Sequence, residues 1–465
     1  MSTDASVESA AGSRRWLRTL GLERPELRAW AMYDWANSAM VTTIIAAVFP
    51  IYFEKVAGKN LGGDRSLQYF GAASTLGMVI IAVLSPILGA LADVRPIKKQ
   101  MLGLFMAIGV AAVAAMYFIH TGDWVLAALL FIVANIGANG SFVFYDSLLP
   151  HLAGPAEVDR VSTAGYALGY LGGGLLLILN LAWIKQPAWF GLPSGPNLTE
   201  AQATLPTRLA FVSVAIWWVI FSIPLFRKVP EPPIGKVEAG LGGNPIADTF
   251  VQLGETYRAL RSFKHGFLML LAFLLYNDGI GTIFRMATIF GASRGIGEGA
   301  MIGSLIVVQF VGIPFTFLFG GLAGRFGSKR MILVSLVVYT GICVLAALMR
   351  TEVHFFMLAA LVGMVQGGSQ ALSRSLFASL IPRDRSGEFF GFFAVVEKFA
   401  GIFGPLIFTA TLWFGAPSEF AILSVIGFFV VGGVLLMKVD VEAGQREARE
   451  AEQLAELGRE PVSAL

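Results

Sequence analysis

The sequence predicts an all-α integral membrane protein, with twelve transmembrane helices arranged as two pseudo-symmetric bundles of six. Three observations lead there. Hydrophobic residues make up 56% of the 465 and charged residues only 14%, whereas a soluble domain carries about 25% charged residues. The apolar residues gather into twelve runs, each near the length of about 20 residues that a spanning helix needs. Two short polar signatures also recur between the first six runs and the last six, at one nearly constant offset. The mean hydropathy of +0.70 agrees with lipid as the solvent for much of the chain.

The first six runs lie at 30–53, 66–92, 98–119, 123–147, 162–184 and 207–227. The second six lie at 265–290, 299–323, 329–349, 354–381, 388–413 and 419–437. This gives an N-terminal segment (1–29), an N-terminal bundle (30–227), a linker (228–264), a C-terminal bundle (265–438) and a tail (439–465). The fifth run holds the glycine-rich "GYALGYLGGG", which suits close approach between membrane helices. The N-terminal segment is too polar, and the first run too long, for a cleavable signal peptide. Residues 13–22, "SRRWLRTLGL", with arginines and Trp16 suited to lipid headgroups, are either an interfacial segment or a disordered tail. The linker opens "KVPEPPIGKVEAGLGG" and then turns helical. Asn244 can cap, Pro245 suits the first helical position, and Ile246, Phe250, Leu253, Tyr257 and Leu260 form the stripe of an amphipathic surface helix. The tail, with "QREAREAEQLAELGRE", is a charged helix or a disordered stretch and receives no function.

Most of the 34 Lys and Arg residues flank the spans on the side of the N-terminus. The other side holds Lys55, Lys59, Arg65, Lys185, Arg208, Arg294 and Arg350. By the positive-inside rule both termini are cytoplasmic. The single cysteine, Cys343, lies in an apolar run, so there is no disulfide framework. His120, His151, His265 and His354 form no metal-spaced pair, and neither HExxH nor a Walker loop occurs. No metal, cofactor or nucleic acid is therefore expected, and a nucleotide-driven pump within this chain is disfavoured. A polytopic enzyme would need a nucleophile–base pair or a metal cluster at one depth, which the scattered histidines do not supply.

"GALADVRPIKK" (89–99) follows the second run, and "GGLAGRFGSKR" (320–330) follows the eighth. "SLLPHL" and "SLIPRD" place Pro150 and Pro382 at nearly the same offset that separates Gly89 from Gly320. Such duplication marks secondary transporters, which bind solute near the bilayer midplane between the repeats. The two loops resemble the signature of the major facilitator superfamily, and the resemblance covers the whole chain. It implies that Asp93 holds the cytoplasmic side closed against the N-terminus of the eleventh helix near Gly387, where a helix carries partial positive charge. In the second copy Gly324 stands in the acid's place, so closure is expected to be one-sided. The expected gate comprises Gly89, Asp93, Arg95 and Lys98, with Arg325 in the second loop and Asp146 and Arg374 in the fourth and tenth spans. "YDWANSAMVTTIIAAVFPIYF" (33–53) and "GYALGYLGGGLLL" (165–177) resemble the branch of autophagy-associated vacuolar amino-acid effluxers and their bacterial relatives, the unknown major facilitators. That resemblance implies export or redistribution of amino acids or similar solutes. A monomer in a bacterial inner membrane is expected.

Within the spans lie four acids, Asp34, Asp146, Asp278 and Glu397, and three bases, Arg285, Arg374 and Lys398. Ionisable residues at such depth mark function by default. Asp34 sits about one turn inside the cytoplasmic end. It is either an interfacial residue within the belt of Trp30, Tyr33 and Trp35, or the start of a polar face continued by Asn37 and Ser38. Asp278 falls about 18–20 Å into the seventh span. Asn277 adjoins it, and Gly279 and Gly281 are as expected of a helix that loosens to expose backbone. The fourth span carries a stripe of Asn135, Asn139, Phe142 and Asp146, and the tenth one of Gln366, Gln370 and Ser373. Asn180 and Gln309 are assigned to stitching between helices. The substrate path is therefore expected to comprise Asn37, Asn135, Asn139, Asn277, Asp278, Arg285, Gln366, Gln370, Glu397 and Lys398. With more acids than bases, at least one acid lacks a one-to-one basic partner. Asp34, with no base in its own helix, is the candidate proton carrier. The expected function is proton-coupled secondary transport of a small polar solute, amino acids among them, by efflux. A lipid or lysolipid translocator on the same fold is the alternative, with a membrane enzyme or sensor behind it.

Overall fold

In hydrocarbon a single apolar segment satisfies its own backbone only as a helix, and every described element of this chain is helical. The computed structural model describes residues 17–61, 65–94, 96–232, 254, 258–399, 403–404, 407, 411 and 418–456, some side chains within helices excepted. The first span begins as α1 (Pro25–Met40), with proline at its start, where the missing N–H costs nothing. It continues through a π-helical stretch (Val41–Ala47) and a short helix (Val48–Tyr52). Then follow α2 (Arg65–Val94), α3 (Lys98–Ala115), α4 (Trp124–Leu152), α5 (Val158–Lys185) and α6 (Glu200–Lys228). The second set is α7 (Lys264–Ser293), α8 (Glu298–Phe326), α9 (Ser328–Ala347), α10 (Glu352–Ser379), α11 (Ser386–Phe399) and α12 (Ile426–Met437), the last preceded by a short helix, Ser418–Ser424.

Eleven stretches among the described residues are long and apolar enough to cross a bilayer. The expected run at 388–413 falls on α11, whose described part has 14 residues. Many helices outrun their apolar stretches. For example, α6 starts behind a capping box formed by Thr199 and Gln202, well before its apolar run. On the outer surface Val83, Leu129, Val337 and Leu348 are more than half exposed, an apolar girdle that suits lipid.

In the first bundle α1 packs on α5 and α6, and α4 on α2 and α3; in the second, α7 packs on α12 and α10 on α8 and α9. The bundles meet along α2–α11 and α5–α8, with further contact of α4 with α11 and α5 with α10. Glycine permits both main crossings. A Cβ on Gly89 would lie 2.1 Å from the Gly387 carbonyl oxygen, and one on Gly320 would lie 2.1 Å from the Thr163 hydroxyl. The repeated glycine of the loop signature thus marks the two seams between the bundles.

Three local expectations change. The loosened helix is in the first span, not the seventh: α7 runs unbroken past Gly279, which packs against the Phe429 ring. The π-helical stretch begins with Val41, Thr42, Thr43, Ile44 and Ile45, a β-branched run that crowds an ordinary helix. There Thr42 donates to the Ser38 carbonyl one turn back (2.9 Å) and to the Gly173 carbonyl of α5 (3.3 Å). The segment before α1 is clamped to protein as well as suited to headgroups. Leu17, Leu20 and Leu22 join the core, and Gly21, at φ 73°, comes so close to Arg160 that a Cβ would meet its backbone at 2.7 Å. Finally, the tail forms α13 (Val441–Glu456), which lies on the turn between α10 and α11. Gln445 donates to Ser379, and Glu452 accepts the Arg383 amide. Most of the expected linker helix lies outside the described residues; at its end Leu260 is buried.

Candidate functional site

Between the bundles lies a cavity of about 370 Å³. Asp34 and Ser38 reach it from α1, followed by Val41, Thr42, Ile45, Ala46 and Ala47 of the widened turn. Wide turns of this kind are frequent at functional sites. The α4 stripe of Asn135, Asn139, Phe142 and Asp146 faces the cavity, as do Tyr166 and Tyr170 of α5. Across from them stand Phe273 and Asn277 of α7, Gln309 of α8, Gln366, Gln370 and Arg374 of α10, and Phe393 and Glu397 of α11. The Asn135 and Asn139 amides each donate to a carbonyl one turn back (3.1 and 2.9 Å), which fixes their orientation.

At one end of the cavity Arg374 crosses from the second bundle into the first. Its Nη1 donates to Asp146 Oδ1 at 2.9 Å and to Asp34 Oδ2 at 3.4 Å. Nε donates to the Ser162 hydroxyl (2.9 Å) and Nη2 to the Ser162 carbonyl (3.0 Å). The guanidinium also lies over the rings of Trp30, Tyr145 and Tyr166, 4.9, 5.6 and 4.5 Å from their centroids. Tyr145 donates its hydroxyl to Asp34 Oδ2 (3.1 Å). Only 2% of the Arg374 side chain is exposed, so two carboxylates, a hydroxyl and three aromatic faces replace its water. Glu397 lines the same cavity.

Beyond Arg374, toward the ends where α2, α4, α8 and α10 terminate, further polar contacts join the bundles. Lys98 Nζ donates to the hydroxyl of Ser386, the first residue of α11 (2.8 Å), and His151 lies 3.1 Å from the same hydroxyl. Ser386 itself donates to the Ser147 carbonyl (3.1 Å). Ser328 and Ser375 of the second bundle both donate to Asp159 of the first. This end, where α1 begins and α13 lies, is closed.

The structure gathers Asp34, Asn135, Asn139, Asn277, Gln366, Gln370 and Glu397 around the cavity, with Asp146 and Arg374 at its closed end. Two path residues fall elsewhere. Asn37 is wholly buried and donates to Ser141 of α4, stitching helices. Asp278 accepts the Gly404 amide (2.8 Å) rather than lining the cavity, because successive helical residues point about 100° apart and Asn277 takes the inward direction. Gln309, expected to stitch, lines the cavity, whereas Asn180 does stitch, accepting from Ser213 of α6. Asp34 is buried, with 5% of its side chain exposed, and is bonded to Arg374. The helix starts at Pro25, which sets it about 14 Å along, and its partner comes from the other bundle, where a search of its own helix could not find it. Arg325 is exposed and takes no part in the contacts above. The side chains of Asp93, Arg285 and Lys398, and the whole of Arg95, lie outside the described residues. The roles of Trp30, Tyr145, Ser162 and Tyr166 around Arg374 emerge only from the fold; of the four, the aromatic spacing in "WAMYDW" marks Trp30 alone. Among the described residues no group of His, Cys, Asp and Glu could hold a metal.

Two helical bundles around a central polar cavity, closed at one end by a buried inter-bundle ion cluster, define a transporter of the major facilitator class. The family described as "Vacuole effluxer Atg22 like" matches residues 68–449, and the chain belongs to it. Among its relatives is the MFS-type transporter YxiO of Bacillus subtilis, 37% identical over 415 residues that cover 89% of this chain and 94% of that one. Autophagy-related protein 22-1 of Penicillium rubens is 22% identical over 559 residues, covering 91% of each. The fold is that of the proton:xylose symporter XylE (TM-score 0.66, 14% identity, 91% and 96% covered) and of the human organic anion transporter MFSD10 (TM-score 0.67, 14% identity, 89% and 99% covered). The chain is thus a multi-pass membrane transporter and not an enzyme.

Proposed function

We propose that this chain exports a small polar solute, amino acids foremost, in exchange for protons, by alternating access between its bundles. On this reading both termini are cytoplasmic, the membrane is a bacterial inner membrane, and the monomer is the working unit. Its rigid parts are the bundles 30–227 and 265–438, joined by the linker 228–264.

The observation that carries the proposal is the placement of Arg374, one guanidinium of the second bundle shared by Asp34 and Asp146 of the first. While both carboxylates are charged, the cluster holds the cytoplasmic end shut. A proton on Asp34 removes one arm of that grip. Asp34 borders the cavity; on this reading a proton loads it through the cavity while the inner end is closed, and loading favours inward opening. Proton entry that precedes solute loading from the cytoplasm is the order of an antiporter, and it suits the effluxer family.

The carboxamides of Asn135, Asn139, Asn277, Gln309, Gln366 and Gln370 offer both donors and acceptors. Glu397 supplies a charge for an ammonium group, and Phe142, Phe273 and Phe393 supply an apolar wall. A zwitterion with an apolar side chain matches that lining.

The test uses the purified chain. A thermal-shift screen across amino acids, peptides, sugars and lysolipids identifies the solute, since a binder raises the melting temperature by mass action. In proteoliposomes, Asp34→Asn should abolish flux driven by a pH gradient while sparing exchange between equal pools. Accumulation with normal pH dependence would remove Asp34 from the proton path. A shift by lysolipids alone would replace the solute class.

A further inference from the structure

The second copy of the loop signature lacks its acid, with Gly324 in the place of one, yet the seam it belongs to is closed. We infer that Asp159 is the gate acid of this seam, supplied from the opposite bundle, and that it stabilises the state closed at the end bearing the termini. The inference is independent of the solute and of the proton carrier.

Asp159 lies in the first turn of α5. Its Oδ1 accepts the Ser375 hydroxyl of α10 and its Oδ2 the Ser328 hydroxyl of α9, both at 2.5 Å. One carboxylate of the first bundle therefore ties two helices of the second. Ser328 is the first residue of α9, a helix of 20 residues that follows Gly327, and a negative charge is favoured beside such an N-terminus. One turn on, Thr163 packs into the space left by Gly320 and donates back to the Asp159 carbonyl (2.8 Å). Ser162 and Tyr166, on the same helix, hold Arg374. The opening turns of α5 are thus devoted to the seam.

The other seam repeats the arrangement with the charge moved. There Lys98, the first residue of α3, donates to Ser386, the first residue of α11. Here Ser328, the first residue of α9, donates to Asp159 at the start of α5. In each seam the start of one helix is bonded to the start of a helix in the other bundle, with a charged group on one side and a serine hydroxyl on the other. The charge is a cation on α3 in one seam and an anion on α5 in the other. With Asp159 in place, the seam needs no acid at Gly324.

The test measures distances at both ends of the full chain, on a Cys343→Ser background. Spin labels at the exposed Ala156 and Phe326 report the termini end, and labels at the exposed Trp189 and Val353 report the opposite end. Asp159→Asn should move population to longer Ala156–Phe326 and shorter Trp189–Val353 distances. The ratio of states should change about tenfold, the scale of one lost hydrogen bond to a charged group. Asp159→Glu should restore most of the native ratio. Ser328→Ala with Ser375→Ala, which leaves the carboxylate in place, should reproduce the shift and not add to that of Asp159→Asn. Unaltered distances at both ends would overturn the inference, as would widening at one end without narrowing at the other. If Asp159→Asn fails to fold, the double serine variant decides by the same two distances.

Discussion

Arg374 of α10 lies 2.9 Å from Asp146 of α4, a buried ion pair that joins residues of different bundles. Its energetics are asymmetric. Burying charges costs desolvation that their attraction only partly offsets, whereas removing one partner strands the others, at about 3–5 kcal/mol.

Arg374→Ala should therefore lower the melting temperature in detergent and abolish transport. Arg374→Lys keeps the charge but loses the planar fork and the stacking on Trp30, Tyr145 and Tyr166, so it should fold while transporting poorly. Removing all three charges, with Asp34→Asn and Asp146→Asn beside Arg374→Met, should destabilise less than Arg374→Ala alone. A native melting temperature for Arg374→Ala would show that the pair is not formed in the folded protein.

The glycines of the repeated loop make a steric prediction. A methyl at Gly89 enters a contact of 2.1 Å with the backbone carbonyl of Gly387, which separation of the bundles relieves, whereas one at Gly320 meets the Thr163 side chain, which can turn partly aside. Gly89→Val should hold the termini end open, raising thiol labelling of a cysteine placed at Ala378, whose side chain is buried in the closed state. Labelling equal to that of the parent would mean that the seam tolerates the side chain.

Orientation rests on the distribution of Lys and Arg. A cysteine at Glu450, exposed on α13, on the Cys343→Ser background should react with an impermeant maleimide only after the cells are permeabilised. Reaction in intact cells would invert the topology and, with it, the direction proposed for transport.

The start of α13 makes a pH prediction outside the membrane. The Ala443 amide donates to the Asp440 carboxylate (3.0 Å) and holds its carboxyl below the usual range. A pKa lowered on folding stabilises the fold above the unfolded value, about 3.9, and that contribution is lost as pH falls through the folded value. Exchange of the Ala443 amide should thus stay slow at neutral pH and quicken, after correction for intrinsic rates, below about pH 4. Asp440→Ala should show the quickened exchange at pH 7, and an unchanged rate would mean the cap is absent in solution.

Composition and hydropathy determined the architecture by themselves, because a chain with so few charges has lipid for its solvent, and there an apolar run of bilayer length satisfies its own backbone only as a helix. The run at 30–53 became a helical span over Pro25–Ala57, and that at 123–147 a helix over Trp124–Leu152. The duplicated Gly-x-Leu-Ala marked the two seams, since a repeat that packs by close approach needs glycine in each copy. Helical period determined that Asn135, Asn139 and Asp146 share a face. Only the tertiary structure decided which faces meet. It gave Asn277 the cavity and turned Asp278 toward Gly404, drew Gln309 into the lining, and withdrew Asn37 to Ser141. It also brought Arg374 to Asp34 and gave Asp159 the serines of α9 and α10. The reason is physical: periodicity records the angle of a side chain about its own helix, whereas a partner for a buried charge depends on the rotation and depth of another helix, which no local pattern encodes.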